Sequence, residues 1–234
     1  MLAAALAHLL AVVLVFVLPV VGYYRYQELN DPQTSPDRRH QLFVRSVVVK
    51  WCLVPPLLAL WASAPDAVSL WGDTHLWWLT AELLVGVLVG AVVVSVRLRS
   101  PRQRQRVARV AAKFSALIPR TPRERRFFVA IAVTAGVTEE LAYRAFLIAY
   151  IAWILHADDW TVAAIIAGVI FGLVHAYQGW KGVLQTGLLG ILFGVIYPSV
   201  GLVALMVVNT LIDLRLLLLP ADLVTTDPDS SAVT

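Results

Sequence analysis

Residues 127–155 read FFVAIAVTAGVTEELAYRAFLIAYIAWIL, an apolar run interrupted by three charges, Glu139, Glu140 and Arg144. A bilayer core of about 30 Å is crossed by roughly 20 apolar residues in helix. We therefore assign a membrane helix over about 123–153. Six further apolar runs, near 2–22, 42–64, 76–96, 160–177, 181–198 and 201–219, read the same way. The expected fold is all-α: a polytopic transmembrane helical bundle of about seven membrane helices. The first run lacks a basic leader and exceeds the apolar core of a signal peptide, so it is read as a membrane helix.

Composition agrees. Of 234 residues, 59% are hydrophobic and 15% charged, against about 25% charged in soluble domains. Eleven of the 19 Lys and Arg lie between Arg97 and Arg126. A basic loop between apolar helices marks the cytoplasmic side. Alternation then sets the N-terminus outside and the C-terminus in the cytoplasm, with the plasma membrane as the expected location. Nucleic acid is not an expected partner; membrane lipid is. Within the loop Val107, Val110, Ala111, Phe114, Leu117 and Ile118 repeat at helical spacing between Arg106, Arg109 and Lys113. That pattern predicts an amphipathic helix, either on the cytoplasmic lipid headgroups or solvated in the cytoplasm. The single cysteine, Cys52, excludes a disulfide framework.

Local signals refine the frame. Thr121, Pro122 and Glu124 form a helix-start pattern. Arg45 and Lys50 lie near the start of the second run, where long side chains snorkel to the interface, and Pro55-Pro56 predicts a kink there. Gly86-x-x-x-Gly90, Gly168-x-x-x-Gly172 and Gly190-x-x-x-Gly194 predict close helix approaches. Residues 1–220 read as one transmembrane domain and 221–234 as a disordered polar tail.

Ionisable residues at membrane depth are costly and face the bundle interior. Glu139 lies about 25 Å along a helix that starts near residue 122. Glu140 and Arg144, at i and i+4, face one another and suit an ion pair. Glu139 is rotated roughly 100° away and has no such local partner. This poises it as a general base or acid. Two adjacent carboxylates beside one local cation argue against a purely structural pair. Phe171 and His175 share a face of the next helix with Gly168 and Gly172. In the last helix Asn209 and Asp213 share a face. Asn209 can donate to a developing oxyanion; alternatively it joins helices while Asp213 pairs with Arg215 or Arg144. Glu82, near the outer end of the third helix, reads as structural.

These segments together resemble the CPBP family of intramembrane proteases, which includes the CAAX prenyl endopeptidases and the bacteriocin-processing or immunity proteins of the Abi type. The family pattern is EExxxR, FxxxH, then HxxxN or HxxxD on successive membrane helices. Glu139-Glu140-x-x-x-Arg144 and Phe171-x-x-x-His175 match in full. In the third motif Asn209 stands in place of histidine, while Asp213 matches. The resemblance covers roughly residues 125–219. It implies that Glu139 and His175 activate water and that Asn209 and Asp213 form the oxyanion site. Glu140, Arg144 and Phe171 support them.

The expected activity is endopeptidase cleavage of a membrane-associated protein or peptide, with prenylated CAAX-type chains among the candidates. The rival reading is a catalytically impaired scaffold or immunity protein, motivated by Asn209; a proton-coupled transporter is a third. No cofactor is expected. The alternative is zinc on Glu139, Glu140 and His175, an incomplete carboxylate–imidazole set.

Overall fold

The structure, a computed structural model, describes residues 1–63, 70–113, 118–119, 121–156 and 159–219, and among these it contains no strand. Helices run in chain order: α1 (Leu2–Asn30), α2 (Pro36–Ser63), α3 (Trp77–Arg97), α4 (Pro101–Lys113) and α5 (Pro122–Glu139). They continue as α6 (Ile148–Leu155), α7 (Trp160–Leu173), α8 (Gly179–Val200) and α9 (Leu202–Leu214). Between α5 and α6 the chain does not break but widens into a π-helix, Glu140–Leu147. Among the described residues, each of the seven apolar runs contains helix. Among the described residues four helical stretches are long and apolar enough for a full crossing: Leu2–Asn30, Pro36–Ser63, Trp77–Arg97 and Ala176–Val200. Trp160–Leu173 is apolar but shorter.

The helix starts follow local chemistry. Thr121 accepts the Glu124 backbone N–H at 3.1 Å, with Pro122 in the first turn, as its sequence predicts. Asp159 accepts from the Thr161 N–H at 2.8 Å and opens α7. His156, in the left-handed region at φ 47°, closes α6. Glu124 turns back to a buried ion pair with Arg39 at 3.3 Å. Arg39 also donates to the Leu29 carbonyl at 2.6 Å. One buried guanidinium thus ties the end of α1 and the start of α2 to the start of α5.

Helix α2 begins six residues before the run at 42–64 and passes through Pro55-Pro56 without ending. Helix α4 forms where the basic amphipathic helix is expected. Val107 packs against the cluster of Leu98, Ile118 and Leu219. Phe114, Leu117 and the tail 221–234 lie outside the described residues, as do the side chains of Arg109, Val110, Ala111 and Lys113.

One large apolar core joins α1, α2, the π-helix and α6 to α9 through residues such as Leu14, Leu57, Leu147, Ala164, Phe193 and Leu205. The most extensive helix pair is α7 against α8. Small residues allow it: a Cβ at Gly172 would lie 2.6 Å from the Val183 carbonyl oxygen and 2.8 Å from the Gly187 Cα. Gly172→Ala should therefore cost about 1–3 kcal/mol by overpacking, read as a lower thermal midpoint in detergent. Gly86→Ala is the control, because nothing stands within 4 Å of its Cβ position. Among the described residues, no close approach is made at Gly86 or Gly90. These glycines border a cavity of about 680 Å³ between α3, α8 and α9, whose charged lining residues are Glu82 and Arg215.

Candidate active site

The glutamate pair sits where α5 passes into the π-helix. Such wide turns inside α-helices recur at functional sites. The two carboxylates point into different environments, one fully buried and one partly open.

Glu140 and Arg144 are 0% and 2% exposed and meet at 3.2 Å from Nε to Oε2. The expected pair forms. Asn209 of α9 completes it, donating Nδ2 to Glu140 Oε1 at 3.0 Å. The guanidinium carbon of Arg144 stands 4.5 Å from the Phe171 ring centroid and 5.3 Å from that of Phe193. Aromatic faces attract a desolvated cation. Arg144 Nη1 has no hydrogen-bond partner among the described residues, so ring contacts and Glu140 hold this charge. The sequence suggests Asn209 as an oxyanion donor; its amide is instead turned onto a buried carboxylate.

Glu139 is 18% exposed and accepts a hydrogen bond from Lys50 Nζ at 2.8 Å. The expectation that Glu139 lacks a cation holds only within its own helix. Lys50 comes from α2, and its ammonium is committed to Glu139. Counted from Pro36, it lies about 21 Å into the helix. Trp51 fixes the same register, donating its indole N–H to Thr134 Oγ1 at 3.0 Å.

His175 is half-buried, in the turn after α7 rather than on the helix itself. Its Nδ1 lies 2.7 Å from the Phe171 carbonyl oxygen. A carbonyl only accepts, so Nδ1 carries the hydrogen and the neutral ring keeps a lone pair on Nε2. Phe171 also packs edge-on against the ring at 4.6 Å between centroids. Gly179, at φ 77°, turns the chain from this loop into α8.

These groups share one electrostatic environment. Glu139 interacts with Lys50, His175 and Arg144. Asp213, half-buried one turn beyond Asn209, interacts with Glu139, Lys50 and Arg215. Tyr177 interacts with Glu139 and Asp213 and accepts a hydrogen bond from Gln178 Nε2 at 3.2 Å. The structure thus gathers Glu139, His175 and Asp213 with Lys50 and Tyr177 into a partly open layer. Glu140, Arg144, Asn209 and Phe171 form a closed layer beneath it.

A zinc ion does not fit this donor set. Among the described residues no three His, Cys, Asp or Glu side chains are grouped to hold a metal. Glu140 gives one oxygen to Asn209 and faces Arg144 with the other. The Lys50 ammonium occupies the place beside Glu139 that a metal would need.

No curated protein sequence and no solved structure is significantly similar to the chain. Residues 122–215 match the family described as type II CAAX prenyl endopeptidase Rce1-like. That segment carries Glu139, His175, Asn209 and Asp213, and the match is consistent with a CPBP-type protease.

Proposed function

We propose that the protein is an intramembrane endopeptidase that hydrolyses a peptide bond of a membrane-associated, CAAX-type substrate without a metal. Glu139 is the general base and His175 assists it. Water between them loses a proton to the Glu139–His175 pair as its oxygen attacks the scissile carbonyl carbon. The carbonyl electrons move onto oxygen. When the tetrahedral intermediate collapses, the C–N bond breaks and the same pair returns the proton to the leaving nitrogen. Asp213 balances the Lys50 charge across the site. The observation that carries this reading is a partly open carboxylate within electrostatic reach of an imidazole whose free nitrogen is Nε2. The metal-free form is supported by the two cations, Lys50 and Arg144, that face the glutamate pair.

In this reading the basic stretch Arg97–Arg126 faces the cytoplasm of the plasma membrane, with the N-terminus outside and the C-terminus inside. Cleavage then occurs within the membrane boundary, where a lipid-anchored chain is held.

The test is turnover of a prenylated peptide by the purified, full-length protein in liposomes. Glu139→Ala and His175→Ala should each abolish measurable cleavage. Undiminished turnover in either variant overturns the assignment of that residue, and undiminished turnover in both overturns the mechanism.

A further inference from the structure

We propose that Lys50, a residue outside the matched family segment, is a catalytic residue that donates to the oxyanion of the tetrahedral intermediate. The assignment rests on the hydrolytic reading above. It begins from a need: the carbonyl oxygen that gains charge in the transition state requires hydrogen-bond donors preset at about 2.7–3.1 Å.

The site offers few such donors. Asn209 is buried and has committed Nδ2 to Glu140. Arg144 is 2% exposed, enclosed by Phe171, Phe193 and Glu140. An ionised Asp213 accepts rather than donates. Lys50 is unlike all three. Its side chain is 36% exposed, and its ammonium spends one of three hydrogens on Glu139. It interacts electrostatically with Glu139, His175 and Asp213 alike. A positive donor that touches the base and keeps two hydrogens unbonded among the described residues is placed to bond the oxyanion when water beside Glu139 attacks. Charged donors are roughly twice as strong as neutral ones. Tyr177 is the neutral rival, with a hydroxyl hydrogen not used by its contact to Gln178.

No further reactant is needed. Water adds to the carbonyl carbon, the carbonyl electron pair moves onto oxygen, and Lys50 N–H donates to that oxygen. The pair then re-forms the C=O bond as the C–N bond breaks.

The experiment uses the full-length protein in liposomes with a prenylated fluorogenic peptide ending in CAAX. A matched peptide carries sulfur in place of the scissile carbonyl oxygen. Sulfur is a weak acceptor, so an oxyanion donor is felt as slower cleavage of the sulfur peptide. For Lys50→Met we expect kcat on the oxygen peptide to fall about 10²–10³-fold with KM unchanged. The oxygen-to-sulfur rate ratio should collapse toward one. Lys50→Arg, which preserves the charge and the Glu139 pair, should recover most of the rate and much of the ratio. It also serves should Lys50→Met fail to fold.

A wild-type ratio retained in Lys50→Met, even with a lower rate, overturns the donor role and leaves Lys50 only as a partner of Glu139. Collapse of the ratio in Tyr177→Phe instead of Lys50→Met gives the role to the tyrosine and also overturns the proposal. Wild-type cleavage with a Lys50→Met rate within twofold of it overturns the Lys50 assignment alone. Absence of wild-type cleavage overturns the hydrolytic reading and the assignment with it.

Discussion

Glu139→Gln lowers kcat by about 10²–10⁴-fold, the usual worth of a positioned general base, while the protein folds and binds substrate as before. The glutamine keeps the length of the side chain and an oxygen that can accept from Lys50 Nζ, now 2.8 Å from Glu139. What it loses is an oxygen able to take a proton. A loss confined to kcat identifies an interaction made in the transition state. Groups that act as a unit are not additive, so the double variant Glu139→Gln/His175→Ala should be about as slow as the slower single variant. Effects that multiply instead would show Glu139 and His175 acting separately. Steady-state kinetics on one prenylated peptide measure both outcomes.

Arg144→Met destabilises the protein by about 3–5 kcal/mol, the cost of leaving one buried charge without its partner. Glu140 is fully buried, and the Asn209 amide offers only a neutral donor in place of the guanidinium. The ring contacts of Phe171 and Phe193 with the cation vanish with the charge. Replacing both partners, Glu140→Leu with Arg144→Met, should recover most of that loss, because an apolar pair of similar volume avoids both desolvation costs. Chemical or thermal unfolding in detergent reads both. A single variant as stable as the wild type would show that the pair is not what holds the closed layer.

The legible parts were those encoded locally. Thr121 and Glu124, three positions apart at the start of α5, and Glu140 and Arg144, one turn apart, act locally along the chain. Their spacing is therefore visible in the chain. The Lys50–Glu139 contact is not legible in the sequence, because the partners lie 89 residues apart on different helices. Asn209 and Asp213 share a face as expected, yet they serve different layers. The sequence gives no measure of how far each reaches toward Glu140 or Glu139. The glycine spacings show the same limit. Gly168 and Gly172 face α8, while Gly86 and Gly90 face open space, and only the neighbouring helix distinguishes them.

The widened turn at Glu140–Leu147 bears on how this chain can change length. An α-helix bonds i to i+4, and a π-helix bonds i to i+5, so the segment stores one residue more than a regular helix of the same rise. Removing a residue inside it would let the backbone relax to ordinary α geometry at little local cost. Because the widened turn already absorbs that residue, the same removal would leave Glu139 and the chain beyond in nearly their present phase, whereas a removal from the regular helix on either side would turn one half by roughly 100° against the other. The spacing of the motif is thus a phase relation between two halves of one rod, and the widened turn is where a deletion need not put them out of step.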